Sequence, residues 1–335
     1  MVMTVTLVLT ARHYIGGHTR RCNSRVTKTH YLVNPSKKGS DVVTSLHPDR
    51  AAAPAASETT EQRVERLQAA AQRIRGYALH MGEVQGQGYI GQALGVADIL
   101  AVAYGDQLRH RPEDPHWEHR DRFLLSIGHY AIALYAALAE AGTIGLEELD
   151  TYGSDDSRLP MSSMASYTPG VEISGGSLGH GLTVATGMGL GLRHQGNPAR
   201  VFNLLSDGEL DEGSTWEAAM ACAHHELDNV TAIVDVNALQ ADGPTVGVLR
   251  TEPVLEKWQA FGWNALRVDG NDIAALVAAF DQIADHRGSP SVLICDTRIG
   301  NGVPLLMERE KAHFMRVEEH EWQIARTQLE EGSTR

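Results

Sequence analysis

Two oxygen-bearing side chains stand thirty residues apart near the middle of the chain. Asp207 lies in the run Ser206-Asp207-Gly208-Glu209-Leu210-Asp211-Glu212-Gly213-Ser214, and Asn237 follows. A carboxylate, an amide oxygen and a nearby backbone carbonyl form a hard donor set. Such a set suits Mg²⁺ or Ca²⁺, with phosphate oxygens completing the coordination sphere. Gly208 has no side chain to hold a diphosphate away from the backbone. A helix starting near Gly213 would turn an anion-favouring N-terminus toward the same place.

The surrounding elements must deliver both ligands to one point. Residues 201–205 and 230–234 are short apolar runs that read as buried parallel strands. Residues 213–225 between them have helical spacing and an Ala-rich surface, which predicts a strand–helix–strand unit. Ligands of such sheets bind outside the carboxyl ends of the strands, where Asp207 and Asn237 both fall. Further strands are expected over 265–268 and 291–295. Helices are expected over 96–104, 130–141, 178–192 and 272–284, with an earlier stripe at Val64, Leu67, Ile74 and Leu79. Alternating strands and helices give an α/β fold whose mostly parallel sheet carries helices on both faces. The spacing Gly86-x-Gly88-x-x-Gly91 matches a dinucleotide fingerprint, but it follows a helical stretch and not a strand, so it reads as coincidence.

The charge is unevenly spread. The net charge is −13, yet residues 1–60 hold 8 Lys/Arg against 3 Asp/Glu, and the remainder holds 21 against 39. An acidic body argues against nucleic-acid binding, which needs a basic face. No apolar run reaches the length of a membrane span. Cys22, Cys222 and Cys295 are few and dispersed, which supports neither a disulfide framework nor a zinc ribbon and fits a cytoplasmic location. Residues 1–58 lack helical periodicity and read as a disordered extension, with the folded domain expected over 59–330.

The Asp-Gly…Asn spacing resembles the thiamine-diphosphate motif. Its surroundings resemble transketolase in particular: Trp216-Glu217-Ala218-Ala219-Met220, Leu227-Asp228-Asn229 and Gln240-Ala241-Asp242-Gly243-Pro244-Thr245. Upstream, in the same order as in that family, come Asp121-Arg122-Phe123-Leu124-Leu125-Ser126 leading into Gly128-His129, then Pro169-Gly170-Val171-Glu172, then Gly176-Ser177-Leu178-Gly179-His180-Gly181. The likeness covers residues 60–325. It implies the thiamine-diphosphate-binding fold, with thiamine diphosphate and Mg²⁺ (or Ca²⁺) as cofactors. Asp207, Asn237 and the carbonyl of Leu239 are implied as metal ligands. His129 and His313 are implied near the diphosphate. Gly176, Ser177 and Leu178 are implied at the aminopyrimidine, and Gly208, Glu209 and Asn237 in the cofactor site. Glu212 matches an acid that links paired active sites, although a helix-terminal Glu would also satisfy the dipole there. His180 has either a structural or a catalytic reading. His224 and His225 read as structural.

Full-length members of the family carry a pyrimidine-binding domain and a C-terminal domain after this region. The resemblance is therefore to the N-terminal subunit of a split transketolase, active only with a C-terminal partner subunit in a heterotetramer. Its reaction would move a two-carbon ketol unit from a ketose or ketose phosphate to an aldose acceptor. Three features depart from the family pattern. Ser206 replaces a Gly before the metal ligand. Tyr89 stands where relatives have a His near the reacting carbon, and Met161-Ser162-Ser163 replaces a second His-containing segment. Tyr can donate a hydrogen bond, but with a usual pKa near 10 it is a poor base. A pyruvate-using carboligase resembling deoxyxylulose-phosphate synthase, and a non-catalytic cofactor-binding subunit, stay open as alternatives.

Overall fold

A computed structural model describes residues 58–309 and 312–332. The expected N-terminal extension lies outside the described residues, apart from Glu58.

The chain enters through α1 (Thr60–Gln85), whose N-cap Thr59 accepts from the backbone N–H of Gln62 while the Gln62 side chain accepts from Thr59 N–H. This reciprocal pairing satisfies two otherwise orphaned donors. Gly86 closes the helix in the left-handed conformation, a state open to a residue without Cβ. The short strand β1 (Gln87–Gly88) and the fully buried α2 (Ile90–Val102) follow, so the three glycines spelling a dinucleotide fingerprint lie on a helix cap, a two-residue strand and a helix. The second expected helix thus starts earlier, at Ile90, and passes into a π-turn over Ala103–Gln107. Next come β2 (Arg122–Leu125), the 3-10 turn Gly128–Tyr130, α3 (Ala131–Glu140) and, after a long loop, α4 (Gly181–His194). The expected helix start at 178 is shifted because residues 175–180 form a turn ahead of α4.

The strand–helix–strand unit is β3 (Val201–Ser206), α5 (Gly213–His224) and β4 (Val230–Val236). A small hairpin of β5 (Leu239–Gln240) and β6 (Gly243–Pro244) follows, then α6 (Thr245–Val248) and α7 (Val254–Ala260). The chain closes with β7 (Asn264–Asp269), α8 (Ile273–Asp285), β8 (Ser291–Asp296), α9 (Pro304–Met307), β9 (Met315–Arg316) and α10 (Glu319–Gly332).

Five strands form one sheet in the order β2-β3-β4-β8-β7, every neighbouring pair parallel. Alternate side chains leave by opposite faces. Phe202, Leu204, Ile233 and Leu293 enter the core shared with α1, α2, α3 and α8. Val201, Leu205, Val230, Ala232, Val234 and Ile294 enter a second core with α4, α5 and α7. Burial on both faces explains why β3 and β4 read as continuous apolar runs. The register places Ser206 beside Asp235, so β3 and β4 end together and the loops after them leave from one edge.

Candidate active site

Asp207 and Asn237 emerge from those adjacent strand ends and meet at one piece of backbone. Asp207 Oδ2 accepts from Ala238 N–H (2.8 Å) and from the Thr245 hydroxyl (3.2 Å), and its Oδ1 accepts from Gly208 N–H (2.8 Å). Asn237 Oδ1 accepts from Leu239 N–H (3.1 Å). Both expected ligands therefore address residues 238–239, where Ala238 takes a positive φ of 62°. Thr245 N–H donates to the Ala238 carbonyl (3.0 Å), which makes 238 and 245 a hydrogen-bonded pair of the hairpin. By antiparallel alternation the next pair, Leu239 and Pro244, is not hydrogen-bonded, so the Leu239 carbonyl points away from its partner strand. That is the third expected ligand atom. Ser206 sits at φ −117°, ψ 168°, extended backbone that any residue adopts, so the replaced glycine costs nothing here. The atoms nearest to a Cβ built at Gly208 belong to the Gln240 side chain, at 3.5 Å and beyond, an ordinary contact distance. The chain's own packing does not require glycine there, and its missing side chain leaves open room above the loop.

The electrostatics favour a cation. Burial, followed by the charge of Asp235, pushes the Asp207 carboxyl up to about 7 against the opposing pull of its three hydrogen bonds. Asp235 is fully buried, and burial raises its pKa too. Its oxygens are taken: Oδ2 accepts from the Tyr130 hydroxyl (2.9 Å) and Asn237 Nδ2 (2.6 Å), and Oδ1 accepts from the Thr297 hydroxyl. Asn237 Nδ2 also donates to the Tyr130 oxygen (2.9 Å). The amide nitrogen is thus held by an acid and a phenol, which leaves the oxygen to face the other way. Two neighbouring buried acids and an outward amide oxygen fit a divalent ion. Among the described residues no three His, Cys, Asp or Glu side chains gather as a metal cluster, consistent with a set built from one carboxylate, one amide and one carbonyl.

His129 leaves the same 3-10 turn that supplies Tyr130. Its ring lies 4.5 Å from Tyr89 and 5.6 Å from His313, centre to centre, and Tyr89 also meets His313 (5.4 Å) and Phe314 (5.1 Å). The structure thus brings together three of the residues singled out in the sequence. Burial, with the neighbouring His313 second, lowers His129 to about 4. Burial also lowers His313, opposed by Asp242. Both shifts favour the neutral imidazole, which keeps one N–H able to donate. Buried Gln92 fixes His313: its Nε2 donates to the His313 carbonyl (2.8 Å) and lies 3.2 Å from Nδ1. With the amide so placed, Nδ1 accepts and the ring proton sits on Nε2. Gln92 was not singled out as a site residue; a polar residue inside a largely apolar helix, which also holds Asp98, was the available signal.

The turn at 176–178 is built against the end of β2. The Ser126 carbonyl accepts from Gly128 N–H (2.9 Å) and Gly176 N–H (3.0 Å), and the Gly128 carbonyl accepts from Ser163 N–H (3.0 Å). A Cβ on Gly128 would lie 2.3 Å from the Gly175 carbonyl carbon, so the two segments touch backbone to backbone. Gly176 and Ser177 are exposed, and Leu178 rests against the core. His180 Nδ1 donates to the Ser177 carbonyl (3.0 Å), which supports its structural reading. Glu209 is 1 % exposed and faces Ser126 and Gly179 rather than open space. Glu212 is exposed at the N-cap of α5 without capping it. His224 and His225 are exposed at the far end of that helix.

The family model described as the transketolase thiamine diphosphate binding domain matches residues 66–332. An uncharacterised transketolase family protein, y4mO of Sinorhizobium fredii, is 63 % identical over 265 residues, covering 79 % of this chain and 95 % of that protein. The 6-deoxy-6-sulfo-D-fructose transketolase subunit SqwG of a Clostridium species is 36 % identical over 271 residues, covering 81 % and 98 %. Among solved structures, transketolase from Campylobacter jejuni aligns with a TM-score of 0.74 at 29 % identity, covering 81 % of this chain and 43 % of that one. The chain therefore spans less than half of that enzyme.

Proposed function

Because this chain belongs to the transketolase family, we propose that it is the thiamine-diphosphate- and Mg²⁺-binding subunit of a two-component transketolase. The reaction is transfer of a two-carbon ketol unit from a ketose or ketose phosphate to an aldose acceptor. The observation that carries this reading is that Asp207 and Asn237 both address residues 238–239, with the Leu239 carbonyl turned out of its hairpin and His129 on the turn that supplies Tyr130. Asp207, Asn237 and Leu239 would hold the cation, with Ca²⁺ able to replace Mg²⁺. His129 and His313 would donate N–H groups to the diphosphate. Gly176, Ser177 and Leu178 would face the aminopyrimidine, and Gly208 would admit the diphosphate to the loop. Thiamine diphosphate, when bound, supplies the electron sink for breaking and making the C–C bond. Tyr89 would present its hydroxyl to the sugar, while its ring walls the site against Phe314.

The split architecture is supported by the likeness, over nearly their whole lengths, to the Sinorhizobium protein and the Clostridium subunit. The partner would carry the pyrimidine-binding domain, and Glu212 would lie toward a paired site in a heterotetramer acting in the cytoplasm. Among the described residues no helix is long and apolar enough to cross a membrane. Tyr89 and the segment Met161-Ser162-Ser163, in place of histidine-bearing positions, favour a specialised donor sugar over common pentose phosphates.

The test is a calorimetric titration of the chain with thiamine diphosphate, with and without Mg²⁺, alone and mixed with a C-terminal transketolase subunit. Metal-dependent binding that tightens with the partner is expected, and Asp207→Asn should remove it. Equal binding without metal, or full ketol transfer by this chain alone, would overturn the reading. Release of CO₂ from pyruvate by the mixed subunits would move the assignment to the carboligase alternative.

A further inference from the structure

A further acid is buried at the edge of the site. Glu209 follows Asp207 by two residues and is 1 % exposed, and its side chain is hydrogen-bonded to a hydroxyl and a backbone N–H. Its Oε1 accepts from Gly179 N–H (2.7 Å) and from the Ser126 hydroxyl. The Ser126 oxygen in turn accepts from Gly181 N–H (3.0 Å). The other side of Gly179 is held too: its carbonyl accepts from the Ser214 hydroxyl (3.0 Å) and the Thr183 hydroxyl (3.3 Å). Gly179 has φ +83°, and a Cβ there would lie 2.3 Å from Ser214 Oγ. The 207–214 segment therefore grips the peptide groups on both sides of Gly179. Ser126 ties the same turn, through its carbonyl and hydroxyl, to the strand end that leads into His129.

We propose that Glu209 is a positioning residue that locks the 175–181 turn to the Asp207 loop and the end of β2. This inference rests on the thiamine-diphosphate reading of the site. The lock sets a fixed distance between the part of the pocket that takes a metal diphosphate and the part that takes an aromatic ring. A carboxylate suits the task because one oxygen can accept from two donors that converge from different segments. The hydrogen bonds of the Glu209 side chain run to Ser126 and Gly179, within the protein itself.

The lock makes the two halves of the ligand separable by experiment. The full chain, mixed with its partner subunit, is titrated with Mg²⁺–thiamine diphosphate and separately with Mg²⁺–inorganic diphosphate. The wild type is compared with Glu209→Gln and Glu209→Ala, and thermal melting confirms that each variant is folded. Glu209→Ala should weaken thiamine diphosphate by about tenfold or more while leaving inorganic diphosphate within about twofold. Glu209→Gln keeps an oxygen acceptor in place and should restore most of the loss. If Ala weakens both ligands equally, Glu209 acts through the metal loop and the proposal fails. If Ala changes neither, the lock is not used. If the wild type binds neither ligand, the cofactor reading itself has failed. Should Glu209→Ala not fold, Ser126→Ala, which removes the shared hydroxyl, is measured for the same split, and its absence there overturns the proposal.

Discussion

Lowering the pH from about 7.5 to about 4.5 should cost this fold stability through one imidazole. His129 is lowered from 6.5 to about 4, first by burial and then by His313. Between those two values the unfolded chain binds a proton on this ring that the folded chain refuses. Stability is therefore present above about 6.5 and lost as pH falls toward about 4. At 1.36 kcal/mol per unit, the ring accounts for a loss of about 3 kcal/mol across the window. Carboxylates titrate in the same range, so a variant must isolate the term. Urea unfolding of wild type and His129→Asn at several pH values supplies it. The substitution costs some packing against Tyr89 at every pH, but the wild type should lose about 3 kcal/mol more than the variant on acidification. Parallel stability–pH curves would refute the reasoning, because they would mean that His129 titrates alike in both states. The imidazole would then be cationic at mildly acid pH, and its proposed role as a neutral donor to a diphosphate would need revision.

Three other substitutions probe separate parts of the structure. Gly128→Ala would push a methyl group into the Gly175 backbone and should destabilise the fold by about 3 kcal/mol, with cofactor affinity falling alongside in calorimetry; an unchanged melt would show that the two segments are not in contact. Arg75 and Asp98 form a buried ion pair, and Asp98 also receives the Asn271 amide, so Arg75→Met should cost about 3–5 kcal/mol in urea unfolding by leaving the acid uncompensated. Tyr89→Phe keeps the ring contacts with His129 and Phe314, so cofactor affinity should hold while kcat of the reconstituted enzyme falls about tenfold; an unchanged kcat would reduce Tyr89 to a packing residue.

The parts of the fold legible in the sequence were those with a simple period. β3, β4 and β8 were visible because burial leaves few polar residues in a central strand, whereas β7 is a partly exposed edge strand. β2 escaped as a strand: it is four residues long and opens on Arg122, too little for alternation to show. The hairpin β5–β6 was noticed only as a matching motif, yet its alternation is what turns the Leu239 carbonyl outward. The metal pair was legible because a carboxylate and an amide at successive strand ends leave a spacing that survives in one dimension. The residues that aim them were not. Tyr130 reaches Asp235 and Asn237 across more than a hundred positions of sequence, and no local pattern announces that contact. Ser126 and Glu209 stood inside recognised motifs, but their neighbours come from three separate segments that only the folded sheet edge unites.

The anchoring of Asn237 by Tyr130 and Asp235 bears on the order of assembly. Flipping the amide would set its oxygen against a carboxylate, so the group is presented oxygen outward before any ion arrives. A lone anion nearing this end of the pocket meets the Asp207 carboxylate, an amide oxygen and a carbonyl, all of which repel it. A lone cation meets a welcoming but half-finished shell. On the proposed reading the two load as a mutually neutralising unit, and linkage makes the benefit reciprocal: whatever factor the ion adds to diphosphate affinity, the diphosphate returns to the ion. Such a pocket would take up its cofactor in proportion to the free concentration of the metal complex, and scarcity of either component would empty it of both.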